Sequence, residues 1–132
     1  MTPFILPGSR LLVERVPLGE IRKGDVVCYI GDGALGVAHR VVRLERSEKG
    51  LSLVTRGDAQ RGEETVPGEA VIAVVRRVDH LLVSYDTGGP IGRTIARVAL
   101  GEDKKARAVK RVCALGWGAV RLVERELRGV FT

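Results

Sequence analysis

Two side chains in the first half of the chain, His39 and Asp58, are of the types that carry out general acid–base chemistry. Histidine suits the role of a general base because its unperturbed pKa is close to neutral pH, and a carboxylate beside the imidazole fixes its tautomer. Such a pair activates a serine hydroxyl, which is a poor nucleophile by itself. Taken alone, a histidine in a strand is more often structural, and an aspartate after glycine is more often a turn residue. His80, the second histidine, is expected to be an ordinary surface residue.

Short β-strands must position His39 and Asp58, because valine-rich runs alternate with glycine-containing turns up to about residue 80. The predicted strands are Leu11–Val16, Asp25–Ile30, Val37–Leu44, Leu51–Thr55 and Val71–Val78. Residues 56–64, which include Asp58, are polar and predicted to be irregular. The pattern predicts a mainly β fold, either a small coiled antiparallel sheet or a barrel.

The last third of the chain has a different character. Residues 91–100 are predicted to form a short helix, and residues 103–128 a second helix with one apolar stripe. Residues 86–132 contain 10 Lys and Arg against 5 Asp and Glu, whereas residues 1–85 contain 12 against 11. We therefore divide the chain into a β-domain, residues 1–85, and a basic amphipathic helical tail, residues 86–132. The tail either packs on the β-domain, which we favour, or contacts a membrane surface peripherally.

The composition argues against several classes of protein. No apolar run reaches 18 residues and no signal peptide is recognised, so we expect a cytoplasmic protein or one peripheral to a membrane. Cys28 and Cys113 are too far apart for a metal-binding pair and fit buried thiols. Phosphate-binding loops, dinucleotide fingerprints and metal-ligand clusters are missing, so no cofactor and no metal are expected. No nucleic-acid partner is expected either, because no nucleic-acid-binding motif occurs.

Three motifs stand in a set order around His39 and Asp58. They are Met1–Ile5 followed by Pro7-Gly8, then Ile21–Val27 followed by His39–Val42, and then Thr55–Gln60 followed by a hydrophobic strand. In this order they resemble the signal peptidase I superfamily, over roughly residues 1–80. Within that superfamily the resemblance is to the branch with a serine, histidine and aspartate rather than a serine and lysine, because His39 holds the lysine position.

This resemblance implies a coiled, mostly antiparallel β fold and the activity of a serine peptidase. It implies that His39 is the general base and that Asp58 orients it, so we expect the two to approach one another and to face a shallow groove near Met1. Met1, Thr2 and Pro3 would contact the substrate. Family members often have a second acid shortly after the Gly-Asp-Ala block, and here residues 63–64, both glutamates, stand in that neighbourhood.

The nucleophile is missing from the expected position. In the family the serine immediately precedes the methionine of Met-x-Pro, which here would be one residue before Met1. Three explanations compete: the sequence begins after the serine, the protein is a non-catalytic relative, or another hydroxyl serves as the nucleophile. Thr2 would point to the opposite face of an extended segment. Ser9 corresponds to a position that the family usually fills with an acid, and Ser84 lies beyond the motifs. We favour the first explanation because His39 and Asp58 are both present.

These observations support three hypotheses of different classes. The first is a signal-peptidase-type serine endopeptidase that cleaves an extended peptide or protein substrate and is inactive without the serine before Met1. The second is a non-catalytic peptide-binding or regulatory relative with the same fold. The third, suggested only by the basic tail, is a DNA- or membrane-associated regulator. The oligomeric state is left open.

Overall fold

An antiparallel β-sheet of seven strands forms the body of the protein, and a helix follows it. The computed structural model describes residues 4–5, 8–34, 36–101, 104 and 107–108. The strands are β1 (Arg10–Glu14), β2 (Val26–Ile30), β3 (Gly36–Ser47), β4 (Gly50–Arg56), β5 (Glu64–Pro67), β6 (Val71–Asp79) and β7 (Ser84–Asp86), and the helix is α1 (Pro90–Leu100). The described helices before α1 are three-residue 3₁₀ turns at Leu18–Glu20, Asp32–Ala34 and Gly68–Ala70. The prediction of a mainly β fold with a C-terminal helical appendage is confirmed.

The strands are arranged in the order β1-β6-β2-β3-β4-β5, and β7 also pairs with β6. The five predicted strands correspond to β1, β2, β3, β4 and β6. The strands β5 and β7 were not predicted, because they are only four and three residues long and show no clear apolar alternation. Their pairing with longer neighbours, β4 and β6, makes them strands.

The helix α1 lies close to its prediction, beginning at Pro90 and ending before Gly101. Proline is favoured in the first turn because its missing N–H has no partner there, and Gly101 adopts the left-handed conformation that closes helices. The predicted second helix, residues 103–128, lies outside the described residues except for Lys104, Arg107 and Ala108. That helix and the domain boundary at residue 85 stay predictions.

Alternation along the strands produces two hydrophobic clusters, one on each face of the sheet. The cluster on what we call the histidine face consists of Ile21, Val27, Tyr29, Val41, Leu53, Val66 and Val74. The cluster on what we call the arginine face consists of Ile5, Val26, Val75, Val78 and Tyr85, with Ile95 of α1 packed against it. In the β2–β3 pair His39 stands opposite Val27, whereas Arg40 stands opposite Val26. The two neighbours in β3 therefore belong to different faces.

Candidate functional site

His39 lies in β3, where its side chain is only 17% exposed. Its ring meets the ring of Tyr29 edge-on, with the centroids 6.0 Å apart. Tyr29 lies in the neighbouring strand β2 and is offset by two residues from the partner of His39, so the two side chains are diagonal neighbours on one face.

The hydroxyl of Tyr29 connects His39 to a carboxylate. It donates a hydrogen bond of 2.7 Å to Oε2 of Glu64 and lies 3.0 Å from Nδ1 of His39. Oγ1 of Thr55 lies 3.4 Å from the same hydroxyl. These four residues, which we call the Tyr29 network, come from β2, β3, β4 and β5, which are successive strands of the sheet. Pairing across the sheet therefore builds the network from residues up to 35 positions apart.

Burial sets the protonation of this network. The pKa of His39 lies below its ordinary value of 6.5, first because burial disfavours the charged imidazolium, while the carboxylate of Glu64 acts in the opposite direction. Burial, with a further contribution from Glu64, raises the pKa of Tyr29 to about 12. At neutral pH His39 is therefore a neutral base and Tyr29 keeps its proton. A base of this kind can accept a proton from a hydroxyl placed against its free nitrogen.

Asp58 is held on the arginine face by Arg40. Its Oδ1 and Oδ2 accept hydrogen bonds of 2.8 Å from Nε and Nη2 of Arg40, and Nη1 of Arg40 donates to the backbone carbonyl of Gly24 at 2.9 Å. The side chains of Arg40 and Asp58 are 5% and 2% exposed. This two-pronged, buried contact occupies both carboxylate oxygens and ties the loop after β4 to β3.

His39 and Asp58, which were expected to approach one another, are not joined by a hydrogen bond among the described residues, and Asp58 is held by Arg40 instead. The carboxylate that approaches His39 is that of Glu64, whose Oε2 lies 4.0 Å from Nδ1. Asp58 acts on His39 only through its charge, which raises the pKa of His39 as a minor contribution. Sequence reasoning noted residues 63–64 as the acids near the family's second position but did not place Tyr29, because only the β2–β3 register makes it a neighbour of His39.

Some of the remaining candidate residues lie among the described residues and others do not. Met1, Thr2 and Pro3, the predicted substrate contacts, lie outside it. The hydroxyl of Ser9 is buried without a hydrogen-bond partner among the described residues, and Ser84 is exposed at the start of β7. The groove predicted beside Met1 and the catalytic roles of His39 and Asp58 stay predictions.

Cys28 and His80 have no role in the Tyr29 network. Cys28 is partly buried, and burial raises the pKa of its thiol, which keeps it protonated and unreactive. Nδ1 of His80 accepts a hydrogen bond from the backbone N–H of Leu82 in the turn between β6 and β7. Cys113 lies outside the described residues.

The described part of the chain contains no candidate metal site and no candidate membrane span. No group of three or more His, Cys, Asp and Glu side chains there is arranged to hold a metal ion. None of its helices is both long enough and apolar enough to cross a membrane.

Comparison with known proteins supports a relationship to the signal peptidases. Over 68 residues, 51% of this chain, the sequence is 31% identical to signal peptidase I W of Bacillus subtilis (strain 168). The matched part is 36% of the length of that protein, so the chain corresponds to little more than a third of it. No protein-family model matches the chain, and no solved structure matches it. The similarity agrees with the resemblance seen in the three motifs.

Proposed function

We propose that this domain is the catalytic β-domain of a serine endopeptidase of signal peptidase type, with His39 as its general base. The observation that carries the proposal is the protonation of His39 together with the contacts of its two ring nitrogens. It is neutral at neutral pH, its Nδ1 contacts Tyr29, and within the described residues no hydrogen bond reaches its Nε2. The similarity over 68 residues to a signal peptidase I supports the choice of reaction.

In this reaction the nucleophile is a serine directly before Met1, as the resemblance implies. The serine Oγ attacks the scissile carbonyl carbon while its proton passes to Nε2 of His39, and the protonated imidazole then gives that proton to the leaving amine. Water then attacks the ester carbonyl carbon while its proton passes to Nε2 of His39, and the protonated imidazole returns a proton to the departing serine Oγ as the acid product is released. The 132 residues without that serine are expected to be inactive, because binding alone leaves only about 10³–10⁴-fold acceleration over water.

The substrate in this proposal is a peptide in extended form. The strand β5 carries Glu64 of the Tyr29 network and stands at the end of the strand order, paired with β4 on one side. Its other side has no strand partner among the described residues. A peptide that adds to this edge would gain main-chain hydrogen bonds next to the strand that carries Glu64.

The test compares three chains: the sequence as given, the same sequence with a serine directly before Met1, and a matched version with an alanine there. Each is treated with a serine-directed acylating probe and with a peptide substrate. We expect labelling and cleavage only with the serine, and loss of at least about 10²-fold when His39→Gln is added. Equal labelling of all three chains would contradict the position of the nucleophile. Absence of labelling in a folded serine-bearing chain that still binds peptide would favour the non-catalytic relative.

A further inference from the structure

We infer that Tyr29, held by Glu64, is the positioning residue that fixes the tautomer of His39 and directs its Nε2 lone pair toward the nucleophile. The contact geometry carries the inference, which rests on the proposed function for its catalytic meaning. Asp58 is left with the structural role of holding Arg40.

The direction of the hydrogen bonds follows from what each group can donate. An ionised carboxylate only accepts, so the 2.7 Å contact with Oε2 of Glu64 uses the single proton of the Tyr29 hydroxyl. The phenolic oxygen then has only lone pairs to offer to Nδ1 of His39, which lies 3.0 Å away. Nδ1 must therefore carry the proton of the neutral ring, and Nε2 is left as the base.

The alternative direction is disfavoured by the same geometry. If Nδ1 of His39 were unprotonated, it would need the Tyr29 proton, and the carboxylate of Glu64 would face an oxygen lone pair at 2.7 Å. Oε2 of Glu64 is itself 4.0 Å from Nδ1, too far for a direct hydrogen bond. Glu64 therefore acts on His39 through the tyrosine oxygen and through its charge.

The packing around Tyr29 restrains the Tyr29 network. Tyr29 is 3% exposed and belongs to the core cluster of the histidine face, so its hydroxyl has little freedom to leave His39. Thr55, fully buried, stands on the third side of the hydroxyl at 3.4 Å. Glu64, by contrast, is 53% exposed, so it can be substituted with little disturbance of the core.

The test is ¹⁵N NMR of histidine-labelled protein, since the chain contains only two histidines and His80 serves as an internal reference. At a pH where His39 is neutral, we expect the parent chain to show the Nδ1–H tautomer. Tyr29→Phe, which keeps the ring, should move His39 toward the Nε2–H form that the free histidine side chain prefers. Glu64→Gln should do the same in part, whereas Glu63→Gln, whose carboxylate pairs with Arg43 instead, should leave the spectrum unchanged. An Nε2–H parent, or an unchanged tautomer in folded Tyr29→Phe, would overturn the inference.

The kinetic test uses the chain with the serine before Met1. There Tyr29→Phe should lower kcat by about 10²-fold with KM unchanged, because an imidazole in the wrong tautomer is a poor base whereas peptide pairing is unaffected. A rise in KM with kcat unchanged would contradict a positioning role for Tyr29. The proposed peptidase function and the positioning role of Tyr29 can be rejected independently, because the NMR result does not depend on activity. An inactive serine-bearing chain that shows the expected tautomer would reject only the peptidase function.

Discussion

His39 and Arg40 are consecutive residues of β3, yet the two faces of the sheet use them in opposite ways. On the arginine face, Arg40 and Asp58 form a buried ion pair with both carboxylate oxygens occupied. On the histidine face, His39 stays uncharged at neutral pH, and its acid, Glu64, is more than half exposed. Removal of either partner of a buried pair would leave the other charge buried and unpaired, so the fold depends on both being present. A neutral, partly accessible imidazole is available to accept a proton instead, so the difference separates a buried ion pair from the candidate base of the proposed function.

Among the substitutions that test this comparison, Asp58→Asn should have the largest effect on the stability of the protein. It strands the guanidinium of Arg40 in the protein interior, and we expect a loss of about 3–5 kcal/mol in the free energy of unfolding, measured with urea. Asp79→Asn, which breaks an exposed ion pair with Arg77, is the control and should change stability far less. If Asp58→Asn instead leaves stability unchanged and shifts the tautomer of His39, the division of roles between the two faces is wrong.

Gly92→Ala should have the next largest effect, because it tests the helix that covers the arginine face. A Cβ at Gly92 would lie 2.3 Å from the backbone carbonyl oxygens of Asp86 and Thr87, so α1 must shift from its position. We expect a loss of about 1–3 kcal/mol in the free energy of unfolding. Gly88→Ala, where no atom lies within 4 Å, is the matched control. Equal stability of the two variants would show that α1 does not depend on this close approach.

Glu64→Gln should affect stability little but change the pKa of His39. The carboxylate of Glu64 raises that pKa against the larger effect of burial, so its removal should lower the pKa further, as NMR titration can measure. Because the native pKa lies below the unfolded value, stability is lost as pH falls from about 6.5 through the native pKa, and the loss should become larger in the variant. A rise in the pKa of His39 would contradict the assigned electrostatics.

Glu63→Gln should have the smallest effect, both on stability and on the pKa of His39. Glu63 pairs with Arg43 at the surface, and exposed ion pairs contribute little to stability. We expect an unchanged urea midpoint and an unchanged pKa of His39. A clear shift of that pKa would show that the histidine face responds to surface charge in general rather than to Glu64.

The amino-acid sequence by itself determined the mainly β class, five of the seven strands and the position of α1. The physical reason is that alternation of apolar residues and the turn preferences of glycine and proline are local properties. The motifs around His39 also resemble those of the signal peptidases, and residues 63–64 stand near the position of the family's second acid.

Only the tertiary structure decided which carboxylate contacts Arg40 and which one approaches His39. Neighbours in a strand point to opposite faces, so the register that directs Arg40 to Asp58 also directs His39 away from it. Tyr29 and Glu64 reach His39 across strands 10 and 25 residues distant along the chain, and no local pattern encodes such distances. Strand order and register made Tyr29, rather than Asp58, the neighbour of the candidate base.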